Sequence, residues 1–251
     1  MIRLESVCKT YYGSFGGETV ALDQVSIDLA QGDYNILIGV NGCGKSSLLQ
    51  VIAGSVIPDS GRVVLNELDV TKVPEHRRSH SLARLFQNPL LGTAPALSIL
   101  ENFRLAALRS KSKGLRIGID KAFRERVAHQ ISRLRMGLEN RLDLPMSALS
   151  GGQRQALTLL MGTMDECSVI LMDEPASALD PRSAELVMNL ADEIIRERKL
   201  TALLVTHQLE DCLRYGDRVI QMERGKIIRE ASGDAKKSLD TDTLRSWFAK
   251  S

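Results

Sequence analysis

The run YNILIGVNGCGKSSLLQVIAG, residues 34–54, restricts the possible folds of this chain more than any other stretch. Its first five residues form a short apolar block ending at Gly39, the pattern of a buried strand. A helix is expected from about Gly44 to Ala53, closed by Gly54 in the position where a left-handed residue ends a helix. Between strand and helix lies GVNGCGKSS, residues 39–47, which fits G-x-x-x-x-G-K-S in the context that a phosphate loop requires. Free N–H groups of the loop and of the helix N-terminus attract an anion. Lys45 would neutralise β- and γ-phosphate charge, and the Ser46 hydroxyl would ligate Mg²⁺. Gly42 and Gly44 let the backbone close around phosphate without a Cβ in the way.

Two further apolar runs, SVILM (168–172) and TALLV (201–205), are separated by a helix that begins at Asp180 and Pro181, a favourable N-cap and first helical residue. Strand, helix and strand in that order predict a parallel sheet covered on both faces. Functional side chains in such sheets gather at the C-terminal ends of the strands. Asp173 and Glu174 follow the first of these strands. Asp173 is expected to hold Mg²⁺ and Glu174 to polarise an attacking water as general base. His207 ends the second strand and is expected to contact the γ-phosphate. Gln87 follows another buried run, LARLF (82–86), from which it could reach Mg²⁺ or the water.

LSGGQ, residues 149–153, opens a helix with a Ser-x-x-Gln capping box and an apolar continuation through Ala156, Leu157, Leu159 and Leu160. Two glycines at a helix start are costly unless the backbone must approach something closely. One phosphate loop does not need a second phosphate-binding helix, but two copies of the chain do. Set head to tail, Ser150, Gly151, Gly152 and Gln153 of one copy can cap the γ-phosphate held by the other.

The rest of the chain frames these motifs. Residues 1–30 alternate apolar and polar side chains (Val20, Leu22, Val25, Ile27, Leu29), which predicts antiparallel strands with one wet face. Residues 98–165 are expected to be helical, starting at a second capping box of Ser98 and Glu101, with a basic loop at 110–119. Strands are expected near 217–222 and 226–230, and a short helix near 240–249. Hydrophobic residues make up 43% and charged residues 25% of the 251 residues, the balance of a globular protein. No apolar run reaches the about 18 residues that cross a bilayer, so a membrane role would come through a partner. Cys8, Cys43, Cys167 and Cys212 form no CxxC pair, which fits reduced thiols. Ten Lys/Arg lie between Arg104 and Arg135 against Asp120 and Glu125. This is a solvated helical face or a surface for anionic headgroups; nucleic acid is disfavoured, since no aromatics are interleaved.

GVNGCGKSS, the Gln87 loop, LSGGQ, VILMDEP, SALD (177–180) and His207, in this order and spacing, resemble the ATP-binding subunit of an ABC transporter over about residues 2–230. The resemblance implies a P-loop α/β fold: a mixed, mostly parallel sheet, an antiparallel β subdomain and a helical subdomain of about 88–165 inserted in a single domain, 1–251. It implies ATP bound by Gly39, Val40, Asn41, Gly42, Cys43, Gly44, Lys45, Ser46, Ser47 and Gln87. Mg²⁺ is implied on Ser46, Gln87 and Asp173. Hydrolysis falls to Glu174, His207 and Gln87, and Asp180 reaches across an ATP-sandwich homodimer or pseudo-dimer. Tyr11 or its neighbour Tyr12 would stack on adenine. The partners implied are a membrane permease, on whose cytoplasmic face the dimer sits, and an extracytoplasmic substrate-binding protein. The continuation LSGGQRQALTLLMG lacks the Arg that most relatives carry at Ala156, which marks a divergent branch. FQNPLLGTAPALSILEN (86–102) is similar to importer ATPases associated with tryptophan- or tyrosine-type amino-acid uptake. An exporter, or a non-transport ATPase of the same superfamily, are the rival readings. Cys43 is expected to make the enzyme thiol-sensitive. The loop 88–100, with Leu90 and Leu91, is expected to pass force to the permease.

Overall fold

The computed structural model describes residues 1–13, 16–109 and 118–248. Most of the expected basic loop at 110–119 therefore lies outside the described residues. The chain divides into two compact units, Met1–Leu82 with Ser168–Glu174 and Ile194–Ser251, and Ala83–Cys167 with Pro175–Glu193.

In the first unit, β1 (Ile2–Tyr12) and β2 (Glu18–Leu29) pair antiparallel, as the alternation predicts. β3 (Tyr34–Ile38) is buried at every residue and runs through the glycine loop into α1 (Lys45–Ala53). Gly54 closes α1 with φ 84°, the left-handed cap that its sequence position predicts. β4 (Ser60–Leu65) and β5 (Leu68–Asp69) complete a small antiparallel sheet in the order β2-β1-β4-β5. A short α2 (Glu75–Arg78) precedes β6 (Leu82–Leu85), along which the chain leaves this unit after Leu82.

The larger sheet contains β6, β7 (Val169–Asp173), β8 (Thr201–Val205), β9 (Arg218–Glu223) and β10 (Lys226–Ser232) together with β3, in the order β10-β9-β3-β8-β7-β6. β3 lies parallel to β8 and β9, and β7 parallel to β8, while β9 and β10 are antiparallel. The C-terminal ends of β3, β7 and β8 therefore share one edge, which is where the P-loop, Asp173 and His207 emerge. The core packs Leu37, Leu48, Leu49, Ile52, Leu171, Leu203, Val205 and Met222 with side chains from β1 and β2. Burying each such aliphatic side chain contributes about 1.5–3 kcal/mol.

One expectation of the alternation fails. Val20 is 51% exposed, while Ala21 and Leu22 are both buried. The β1–β2 register shifts three times, and Gln24 takes a positive φ of 50°, so the strict two-residue period breaks before it reaches Val20.

In the second unit, α3 (Ile99–Ala107), α4 (Lys121–Ser132), α5 (Gly151–Gly162) and the start of α6 (Pro181–Arg198) carry a core of Phe103, Val127, Ile131, Met146, Leu157 and Val187. Both capping boxes form, at Ser98 with Glu101 and at Ser150 with Gln153. Much of the basic charge here is answered locally. Arg124 makes two bonds to Asp143, and Arg126, Arg133 and Lys121 pair with Asp165, Glu193 and Glu125. The first unit ends in α7 (Leu209–Arg214), α8 (Gly233–Lys237) and α9 (Thr241–Phe248), with Leu244 and Trp247 of α9 buried.

Candidate nucleotide site

The loop between β3 and α1 is shaped by its own chain. Gly44 is the α1 N-cap at φ 108°, and a Cβ there would stand 2.2 Å from the Ala21 carbonyl oxygen. Its glycine is therefore required by packing against β2 even before a ligand is considered. Lys45 is 6% exposed, and its Nζ donates to the carbonyls of Gly39 (2.7 Å) and Val40 (3.0 Å). The ammonium is thus held across the loop mouth by two neutral acceptors, which an anion would outcompete. Cys43 is buried, and burial pushes its thiol up despite the Lys45 ammonium beside it. Burial and the raised pKa both argue against the expected thiol sensitivity, because the thiolate is the reactive form.

Two strand ends add the chemistry. Ser46 Oγ donates to Asp173 Oδ1 at 3.4 Å, so the second residue of α1 faces the last residue of β7. A hydroxyl facing a carboxylate is the oxygen-donor set of a hard divalent cation. Glu174 Oε2 lies 3.2 Å from His207 Nδ1. The Glu174 amide donates to the Val205 carbonyl of β8 at 2.9 Å, fixing where its side chain leaves the sheet. Glu174 also has φ 45°, a left-handed conformation that costs a non-glycine residue roughly 1–2 kcal/mol. Behind His207, Thr206 Oγ1 accepts from the Gln208 amide (3.0 Å) and donates to Asp211 Oδ2 (2.9 Å), which braces the turn into α7. Tyr11 is 37% exposed and its hydroxyl reaches Gln50 of α1 at 3.4 Å, whereas Tyr12 is 78% exposed. Tyr11 is the member of the pair anchored to the P-loop helix.

The remaining motifs lie in the second unit. Gln87 is exposed, two residues beyond β6. Ser150 is exposed and caps α5, its Oγ accepting from the Gln153 amide at 3.2 Å. Gly152 is buried, and a Cβ on it would lie 2.5 Å from both Cβ and Oγ of Ser183. The second glycine of LSGGQ is thus demanded by the first turn of α6. Asp180 caps that helix, its Oδ1 accepting from the Ser183 amide at 3.1 Å, and these bonds hold its carboxyl below the usual range.

A family model described as ABC transporter matches residues 22–177, from the second strand to just past the carboxylate pair.

The chain belongs to the ABC transporter family.

Among its ABC relatives is a tyrosine transport ATP-binding protein of Clostridioides difficile, 34% identical over 251 residues, covering 99% of this chain and 98% of that protein. Another is a phosphonates import ATP-binding protein of Frankia casuarinae, 35% identical, covering 93% and 91% of the two chains. A dimeric ATP-binding cassette solved in a post-hydrolysis state with ADP and Pi superposes with a TM-score of 0.80 at 26% identity, over 92% of this chain and 98% of that one. An ADP-bound cassette of an ABC transporter gives 0.78 at 29% identity, covering 98% of each chain. The P-loop α/β fold and the ATP-binding identity expected from the sequence both hold. This ABC subunit hydrolyses ATP and couples that hydrolysis to transport. No helix among the described residues is long and apolar enough to cross a membrane.

One residue that supports the site carries no legible motif. Arg78 is 3% exposed and donates to the carbonyls of Val51 and Ile52, both at 2.8 Å, at the C-terminal end of α1. It also bonds the carbonyls of Val70, Thr71 and Val73. Burial lowers its pKa to about 10, which still leaves the guanidinium charged at neutral pH and opposite the negative end of the P-loop helix. In the sequence Arg78 is one arginine of the polar run EHRR, and nothing there distinguishes it from its neighbour Arg77.

Proposed function

We propose that two copies of this chain close around two Mg-ATP and drive import of a small solute, of the tyrosine or tryptophan class, through a membrane permease. The whole chain acts as one cassette, with the helical segment of about 88–165 as its permease-facing part. Gly39 to Ser47 hold the phosphates and Tyr11 stacks on adenine. Ser46, Asp173 and Gln87 hold Mg²⁺, which would withdraw charge from the oxygens it binds. Glu174 accepts the proton of the attacking water, with His207 fixing its carboxylate and meeting the γ-phosphate. Ser150 to Gln153 and Asp180 serve the ATP held by the partner copy, and loss of the bridging phosphate releases the pair.

The observation that carries this reading is the coincidence at one sheet edge of a P-loop, the Ser46–Asp173 bond and the Glu174–His207 pair. The substrate class rests on the tyrosine transport relative, which matches along the whole chain. Docking on a permease is supported by an open groove of about 400 Å³ in the second unit, lined by Phe86, Leu91, Ala94, Leu105, Arg109 and Met161. Leu91 and Leu105, which line it, are 66% and 51% exposed and offer apolar surface that a partner would cover.

The test is purification of the tagged protein from its own cells in mild detergent, followed by mass spectrometry. The expected result is a polytopic membrane protein accompanied by an extracytoplasmic binding protein that binds an aromatic amino acid. A membrane partner without a binding protein would overturn import in favour of export. Ribosomal or DNA-associated partners alone would overturn the transport partnership.

A further inference from the structure

Gln155 is 0% exposed, in a stretch of α5 that is buried all round, with Ala156, Leu157, Leu159 and Leu160 also buried. An amide in such a place is unfavourable unless its hydrogens are used. Both are. Nε2 donates to the Phe86 carbonyl at 2.7 Å and to the Pro175 carbonyl at 3.0 Å. Its Oε1 is buried with no hydrogen-bond partner among the described residues. The orientation of the amide is fixed by this chemistry, since the flipped form would set oxygen against two carbonyl oxygens. The side chain is therefore kept for donation alone, and its acceptor is carried as a cost.

The two carbonyls are not arbitrary. Phe86 is joined directly to Gln87, and Pro175 directly to Glu174. One side chain, five residues into the helix that Ser150 opens, thus grips the backbone beside Gln87, a proposed Mg²⁺ ligand, and the backbone beside Glu174, the proposed general base. We infer that Gln155 is a positioning residue for ATP hydrolysis: its amide sets α5, the Gln87 loop and the chain leaving Glu174 in one fixed relation. It touches no substrate. It acts by keeping three segments from relaxing independently when the γ-phosphate arrives. The inference rests on the ATP-sandwich reading above.

The test is Gln155→Met, matched in length and a good helix former, with Gln155→Glu as a second variant that keeps shape and polarity but loses both donors. Each is made alone and in a Glu174→Gln background. ADP affinity depends on the P-loop unit and is expected to stay within twofold of the parent. Hydrolysis per titrated nucleotide site is expected to fall at least tenfold, and ATP-dependent dimerisation of the Glu174→Gln form to weaken by a similar factor. A purely structural residue would reduce the number of ADP-binding sites and the melting temperature, leaving turnover per site unchanged; that result overturns the inference. Dimerisation of Glu174→Gln with ATP, unaltered by either change at Gln155, also overturns it. Failure of Glu174→Gln itself to dimerise would instead count against the sandwich on which it rests.

Discussion

Glu174 and Cys43 show what single residues reveal and conceal. The carboxylate was legible because an acidic pair after a buried apolar run can hardly be a core residue. Its left-handed backbone was not, since nothing in VILMDEP marks φ 45° at a glutamate. Strain of this kind persists where surrounding bonds over-determine it, here the Glu174 amide on Val205 and the side chain on His207. Cys43 was legible in position, but its burial was not. Its loop sits in an electropositive setting, but the side chain points inward and burial decides its protonation. Cys212 is likewise buried, its thiol pushed up to about 12. Brief alkylation of the native protein at neutral pH should therefore label Cys8 and Cys167, which are half-buried, and spare Cys43 and Cys212. Peptide mapping reads the outcome. Rapid labelling of Cys43 in folded, nucleotide-free protein would refute the burial argument.

At the scale of elements, the helix ends were the most legible feature. Ser98, Ser150, Asp180 and Gly54 all cap as their sequence positions predict, because capping depends on residues three or four apart and not on the rest of the molecule. Strands were harder. The β4–β5 hairpin escaped notice because half of SGRVVL is exposed and β5 is two residues long. LSGGQ lies between these cases. The sequence explains its two glycines by approach of a partner's phosphate, while the structure adds a nearer cause for the second, the Cβ of Ser183. The two causes make different predictions. Gly152→Ala should cost about 1–3 kcal/mol of stability from overpacking. Pairing it with Ser183→Gly should restore most of that, whereas Ser183→Ala, which keeps the offending Cβ, should not. Melting temperatures of the four proteins decide it. Persistent loss of ATPase activity in the restored double variant would assign the rest of the glycine requirement to the nucleotide.

Across the whole molecule, the motifs sort by unit. The P-loop, Asp173, Glu174 and His207 belong to the first, and Gln87, Ser150 to Gln153 and Asp180 to the second. The list of motifs was readable from the sequence; this partition was not, because it depends on which segments pack together. The loop 88–100 belongs wholly to the second unit. It is tied down by the buried Asn102, which bonds Ala94 through both amide atoms and the carbonyls of Leu97 and Ser98 besides. Leu90 and Leu91, ahead of that anchored stretch, are exposed. Replacing both with Ser should leave ATP affinity within about twofold and lower transport at least tenfold, as measured by solute uptake against nucleotide binding. Joint loss of binding and uptake would point to damage of the fold instead. A last consequence concerns length. Asp173 and Glu174 are consecutive, and β7 presents its side chains to alternate faces with no polar residue among VILM to mark its place. The strand is in effect a ruler with unlabelled divisions. Removing a single residue from 169–172 would put Glu174 where Asp173 is proposed to hold Mg²⁺ and Pro175 where Glu174 is proposed to activate water. On this reasoning an apolar-for-apolar exchange within 169–172 should be tolerated, whereas a change in the number of residues should not.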